Sequence, residues 1–244
     1  MAKRIGKYTI QLENKISIIE SAAIVGKNEG EGPLKDEFDE IYEDALFGME
    51  NWEQAESKLQ KLTIEKVLEK ANLSKENIDL IFAGDLLNQC VGSGYAVRDL
   101  EIPFVGLYGA CSTMILSLSV ASIFLESKAA NIVISETSSH FCSAEKQFRY
   151  PLEYGNQRTP TSQRTATASG AVILERNKKA KAYVEAVTIG KIMDLGINDP
   201  NNMGAAMAPD DVKIRPYQMG VSPRGYGLFL HTNLVFFEVK IHRF

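Results

Sequence analysis

One thiol in this chain sits where thiols do chemistry. The stretch "LYGACSTMILSLSVASIF" (107–124) sets Cys111 between a turn of small residues and a long, almost wholly apolar run. A cysteine at a helix start meets free N–H groups and the positive end of the helix dipole, which favour the thiolate and lower its pKa. At the same place the N–H groups and hydroxyls of Ser112 and Thr113 suit an anion. Nucleophilic catalysis also needs a base within hydrogen-bond reach, and the chain has only three histidines. His140 follows a strand in "SETSSHF" and could approach the thiol. His231 in "LHTNLV" lies near an asparagine in no recognisable context. Cys111 therefore has three readings: a small residue packed at a pocket floor, a ligand contact, or a nucleophile.

Other polar residues gather around this candidate. "GDLLNQ" (84–89) offers Asn88 and Gln89 to a cleft. Asp85, directly after a strand, reads as a turn aspartate, although a bridging calcium would also suit it. "RYPLEYGNQRTPTSQRT" carries Arg149, Arg158 and Arg164, which could pair with a carboxylate or face water. The acidic run Asp36, Glu37, Asp39, Glu40, Glu43 and Asp44 lacks the ligand order and glycine of a calcium loop, so it reads as a solvated helix face and no metal site is expected.

The elements that position these residues can be read from periodicity. Strands are predicted over 16–26, 78–87, 103–109, 131–139, 167–175 and 182–192, each short and apolar or β-branched. A helix is predicted over 52–73 from Leu59, Leu62, Ile64, Val67, Leu68 and Ala71, with a shorter one near 92–100 and a third over 112–127. Residues 27–40 read as a loop leading into an acidic helix start, and 143–165 as a long polar loop with one helical turn. The order β-α-β-α-β-α-β, followed by two final strands antiparallel to each other, makes an α/β protein with a largely parallel sheet. In the 112–127 helix, Met114, Ile115, Leu116, Leu118, Val120, Ala121, Ile123, Phe124 and Leu125 cover every face. Such a helix must be buried on all sides, and one sheet covers only one of them.

Composition excludes several classes. With 45% apolar and 24% charged residues and a net charge of −4 over 244 residues, the chain is expected to be globular, with no general attraction to nucleic acid. Its three cysteines (Cys90, Cys111, Cys142) form no disulfide framework or metal spacing, which points to a reducing, intracellular setting. The N-terminus has no secretory apolar region, and the apolar stretch 114–125 is too short to span a bilayer.

With "GACSTMILSLSVAS" and this order of elements, the chain resembles the thiolase-like superfamily. "QRTATASGAVILE" (163–175) is similar to the strand that closes the first half of that fold. The resemblance implies an α/β, thiolase-like architecture: the first βαβαβαββ half of a five-layer α-β-α-β-α fold, with Cys111 at the start of the central helix. "FAGDLLNQC", "YGACSTM", "VISETSSHF", "FRYPLEYGNQRTPTSQ" and "NNMGAAMAP" further resemble the stage V sporulation protein AD family, over about residues 8–209. That resemblance implies a non-catalytic protein that binds dipicolinic acid and supports its calcium-linked uptake into the developing spore. It implies a homodimer for the full-length family and partners among proteins of the same sporulation operon, at a peripheral place on the forespore or spore inner membrane. No cofactor is implied. The ligand contacts it suggests are Cys111, Ser112, Thr113, Asn88, Gln89 and His140.

Two alternatives stand beside it. One is an acyl-thioester condensing or acyltransferase enzyme with Cys111 as nucleophile. The other is an inactive half-domain that needs a partner chain. In condensing enzymes the partner His and Asn come from the second half of the fold, which the resemblance does not find here, so catalysis is not expected. Residues 1–209 are expected to form the half-domain and 210–244 an unmatched tail, from a frameshift or early stop or as a genuine short variant. The 112–127 helix would then expose about nine large apolar side chains, and the chain would dimerise through that face, aggregate or be degraded.

Overall fold

The computed structural model describes residues 2–148, 165–180, 182–190, 227–230 and 237–243, with backbone alone for 145–148 and for the last two segments. The spine of the fold is an 18-residue strand, β2 (Thr9–Gly26), preceded by β1 (Lys3–Ile5). β3 (Glu40–Tyr42), β4 (Leu80–Gly84), β5 (Phe104–Gly106), β6 (Ile132–Ser139), β7 (Ala168–Arg176), β8 (Ala182–Ile189), β9 (Gly227–Leu230) and β10 (Phe237–Arg243) complete one sheet. Its order is β5-β4-β6-β7-β2-β8-β10-β9, with β1 and β3 also paired to β2.

Helix α2 (Trp52–Ala71) and α3 (Val91–Arg98) pack on one face, and α4 (Thr113–Glu126) packs on the other. Short α1 (Lys27–Gly30) and α5 (Phe141–Phe148) follow β2 and β6. The strands alternate as the period of two requires: Ile81, Ile134 and Ile173 face α2, while Phe82, Val133 and Leu174 face α4. α2 starts and stops on local chemistry. Asn51 accepts the N–H of Gln54 at 2.9 Å, and Asn72 ends the helix at φ 53°.

The predicted elements form, but the sheet is mixed rather than largely parallel. β4 runs parallel to β5 and β6, whereas β7 and β8 are each antiparallel to β2 and hence run the same way as each other. The length of β2 explains this. β7 pairs with its second half, from Val25 back to Ile16, and β8 pairs with its first part, from Ile18 back to Thr9. The chain crosses β2 between them without turning round. Asn177 N–H donates to the Lys15 carbonyl at 2.7 Å and Asn177 Oδ1 accepts from Lys15 N–H at 3.1 Å.

Residues 9–15, outside the predicted strand and largely polar apart from Ile10 and Leu12, extend it because β8 lies alongside. The Glu13 and Asn14 N–H groups, turned out of the ladder by a bulge, donate to the Glu126 carboxylate at the end of α4.

The acidic run is not a helix face. Residues 35–37 make a single turn, Glu40 lies in β3 and pairs with Lys66 at 2.7 Å, Asp39 pairs with Lys70 at 2.6 Å, and Asp44 accepts the N–H groups of Leu46 and Gly48. Pairing of β3 with β2 outweighs the local helical preference of this acidic stretch. Within the segment expected as a loop from 143, α5 continues to Phe148; Arg149, Arg158, Arg164 and His231 lie outside the described residues. The tail beyond 209 supplies β9 and β10, and β10 pairs with β8 from Phe237↔Ile189 to Arg243↔Ala182.

α4 is less bare than its sequence implies. Ile115, Leu118, Ala121 and Leu125 are fully buried, and Met114, Leu116, Val120, Ile123 and Phe124 are half-buried rather than exposed. The expectation of about nine bare apolar side chains therefore does not hold. Five form a partly covered stripe.

Candidate functional site

β4 and β5 lie side by side and parallel, but their following helices go to opposite faces: α3 joins α2, and α4 goes to the other side. The carboxyl ends of such a strand pair are where an α/β sheet opens a ligand crevice. Residues 85–90 form one rim of this crevice and 107–112 the other. The rims touch through Cys90, whose thiol donates to the Leu107 carbonyl at 3.4 Å. Gly84 permits the approach, since a Cβ there would stand 2.7 Å from Thr113 Cγ2 and collide with the Leu107 backbone. Gln89, Cys90 and Ala110 adopt φ of 60°, 54° and 46°, the left-handed region that side-chain-bearing residues seldom occupy.

Asp85 holds the first rim. It is buried, its Oδ1 accepts Leu87 N–H at 2.8 Å, and its Oδ2 accepts the N–H and hydroxyl of Ser93 at 2.7 and 2.6 Å. This is the structural role read for it. Asn88 and Gln89 are exposed at the rim, and Cys111 is exposed opposite them with Tyr108. The tyrosine hydroxyl is pushed up in pKa by burial first and then by Cys111, Cys90 and Asp85, which places it among these groups.

The thiol itself differs from expectation. Desolvation by the surrounding atoms raises the Cys111 pKa, and its own backbone N–H is the one group among the described residues that pulls it down. Cys111 sits in a tight turn, Ala110–Ser112, ahead of α4 rather than in its first turn. Ser112 and Thr113 are brought beside it but face inward. Ser112 donates its hydroxyl and its N–H to the Gly109 carbonyl at 2.7 and 2.9 Å, and Thr113 donates its hydroxyl to Ala110 at 2.8 Å. The Thr113 N–H also closes on Ala110, so these groups fold the turn instead of presenting an anion hole.

His140 is elsewhere. Fully buried on the α2 face, its ring lies 5.6 Å from that of Trp52, and its Nε2 is 2.7 Å from the Ala45 carbonyl. Its Nδ1 accepts the Cys142 N–H at 3.2 Å, which fixes the proton on Nε2. Burial lowers its pKa, so the ring is a neutral structural tie.

A polar core that the motifs did not reveal lies behind the Asp85 rim. Gln60 Nε2 donates to Ser138 Oγ at 2.6 Å and to Ser93 Oγ at 3.2 Å. Ser138 and Ser143 donate to the two oxygens of Glu56 at 2.9 and 2.6 Å, and Ser169 donates to Glu136 at 2.8 Å. Burial lifts the Glu56 carboxyl to about 7, with Asp85 and Glu53 adding to the rise and the two serine donors opposing it. Burial also drives Glu136 well above the carboxylate range. The signal was present: Glu56 and Gln60 stand four apart on the inward stripe of α2, and Glu136 is an acid in the middle of a strand. Among the described residues no group of acids, histidines or cysteines is arranged to hold a metal ion, and no helix is long and apolar enough to cross a membrane.

Comparison with known proteins matches residues 6–238 to the stage V sporulation protein AD family, a match that runs on past Pro209. Stage V sporulation protein AD of Bacillus subtilis (strain 168) is 40% identical over 235 residues, covering 95% of this chain and 69% of that protein. Among solved structures, 3-oxoacyl-[acyl-carrier-protein] synthase III from Aquifex aeolicus superposes with a TM-score of 0.50 at 18% identity, over 72% of this chain and 59% of the other. Cerulenin-bound OleA of Xanthomonas campestris gives 0.50 at 16% identity, over 74% and 63%. The chain thus spans about six-tenths of the length of these structures, and the likeness is one of fold, which is thiolase-like.

Proposed function

From the premise that this chain belongs to the stage V sporulation protein AD family, we propose that it is a sporulation protein that binds dipicolinic acid in the crevice between the 85–90 and 107–112 rims. It supports the calcium-linked uptake of that ligand into the spore without turning it over. The ligand is taken from the family resemblance. The observation that carries the non-catalytic part is geometric: His140, the nearest histidine in sequence, is buried and spends both ring nitrogens on backbone, and the raised pKa of Cys111 agrees with it. A nucleophile needs the reverse, a lowered pKa and a base in reach.

The rim suits an aromatic dicarboxylate: Asn88 and Gln89 bring amide donors, and Tyr108 brings a hydroxyl and a ring face. The negative Asp85 beneath is already met by three donors.

Association belongs to the same proposal. Among the described residues β5 is the end strand of the sheet, and Val91, Tyr95 and Tyr108 beside it are 40%, 61% and 50% exposed. An open strand edge flanked by exposed aromatic residues suits a homodimer, and the protein acts peripherally at the forespore membrane beside partners of the same operon. A Tyr108→Glu variant is expected to shift the protein toward monomer in sedimentation; an unchanged distribution removes this edge from the interface.

The test of the ligand is calorimetric titration of the protein with dipicolinate, with and without calcium, repeated on Asn88→Ala/Gln89→Ala. Saturable binding weakened at least tenfold by the double change is expected. Unaltered affinity, or no binding, overturns the assignment of the crevice. The enzyme reading has one observation in its favour, the exposure of Cys111 at the carboxyl end of the sheet. Intact mass spectrometry after incubation with acyl-CoA tests it: a stable acyl adduct on Cys111 establishes catalysis, and an unmodified mass is expected.

A further inference from the structure

Hydrogens can be counted in the polar core between α2 and β6. Both amide hydrogens of Gln60 are used, on Ser93 and Ser138, so the amide has one orientation. Ser93 then passes its hydroxyl hydrogen to Asp85, and Ser138 passes its own to Glu56 Oε1. Two acceptors are left buried with no donor, Gln60 Oε1 and Glu136 Oε2. The core is short of protons, and a buried acceptor without a donor is costly.

One member has a choice. Ser143 Oγ stands 2.6 Å from Glu56 Oε2 and 3.1 Å from the carbonyl oxygen of His140, so its hydrogen can go to either. We infer that the polar core is a reversible proton-binding site: Glu56 takes up a proton on Oε2, donates it to Ser143 Oγ, and Ser143 turns its own hydrogen to the His140 carbonyl. Every hydrogen bond of Glu56 is preserved in both states, with one reversed in direction. No electron moves, and the proton comes from solvent. Glu136 stays protonated throughout, because it is wholly buried and one of its oxygens has no donor.

The surroundings set the direction of the effect. Facing Glu56 are Glu53 from its own helix, Asp85 from the crevice rim, Glu136 and Ser138 from β6, and Ser143 from α5; the neutral ring of His140 lies nearby, tied to Ala45 and Cys142. The charges of Glu53 and Asp85 are negative and favour the neutral acid, while the protonated Glu136 adds none. Proton uptake relieves the repulsion on Asp85, which holds the crevice rim, and moves a hydrogen bond of the first turn of α5 from α2 to the β6–α5 corner. The midpoint of about 7 puts the change in the neutral range. This inference is independent of the ligand reading.

Carboxyl-carbon NMR on the full chain tests it. One glutamate signal is expected to titrate with a midpoint about 7, to vanish in Glu56→Gln, and to move upward in Ser143→Ala, where a donor to the charged form is lost. The amide signals of residues 141–144 are expected to titrate with the same midpoint, and Glu56→Gln is expected to hold them at their low-pH positions. Since the folded pKa is raised, ionisation destabilises the folded state. The unfolding constant of the wild type should therefore grow relative to that of Glu56→Gln by roughly tenfold per pH unit from about 4.5 to 7. A Glu56 midpoint near 4.5, or amides of 141–144 that do not follow it, overturns the inference, and the wild-type titration decides this even if a variant does not fold.

Discussion

The turn that carries Cys111 and the polar core under α2 sit at the same end of the sheet, and they use their polar groups in opposite ways. In the turn, Gly109, Ala110, Ser112 and Thr113 satisfy one another within five residues. In the core, Glu56, Gln60, Ser93, Ser138 and Ser143 come from four separate elements, and the side-chain bonds among them join residues far apart in the chain. A locally closed turn can be changed at its exposed residue with little consequence. A core joined across the fold loses several bonds when one member goes.

Asp85 is where the comparison should break most visibly. Asp85→Ala removes the acceptor for Leu87 N–H and for two groups of Ser93, and should lower stability by about 3 kcal/mol, read from the urea midpoint. A loss under about 1 kcal/mol would mean that the core is not the cooperative unit drawn here.

Gly84→Ala comes next. Its Cβ would press on Thr113 and the Leu107 backbone, and about 2 kcal/mol of destabilisation is expected, with widened amide signals along 107–113. Glu136→Gln should stabilise by about 1 kcal/mol at pH 8, because it removes a titratable group from a site that rejects its charge. The folded pKa of Glu136 is raised, so the gain should widen as pH rises and shrink in acid; a pH-independent difference would show that Glu136 does not titrate in this way. The smallest effect belongs to the residue that looks most chemical. Cys111→Ser should change stability by less than about 0.5 kcal/mol. In the wild type, iodoacetamide should label Cys111 no faster than a free thiol at the same pH, since desolvation by neighbouring atoms raises its pKa.

The strands and helices were legible from periodicity because side-chain spacing repeats within each element: α2, α4, β4, β6 and β7 lie within a few residues of their expected ends. The sheet direction was not. Whether β7 and β8 oppose each other depends on β2 having length enough to serve one on each edge, and its polar first half shows that length only when paired. The rim residues Asn88, Gln89 and Cys111 were found by motif, and the tie made by Asp85 was read correctly from its place after a strand. Ser112, Thr113 and His140 were legible as polar residues at the right ends of elements, but not as residues already bonded to backbone.

The amino-acid sequence alone determined the family, the succession of elements and the place of Cys111 at the start of the central helix, all of which follow from residues close together in the chain. Only the tertiary structure decided which polar groups remain available. A hydroxyl or carboxylate is spent or free according to partners that stand tens of residues away, as Ser138 and Ser143 stand from Glu56. Burial, which lifts the Glu56 carboxyl toward neutrality, comes from packing around a group and is not carried by any residue type.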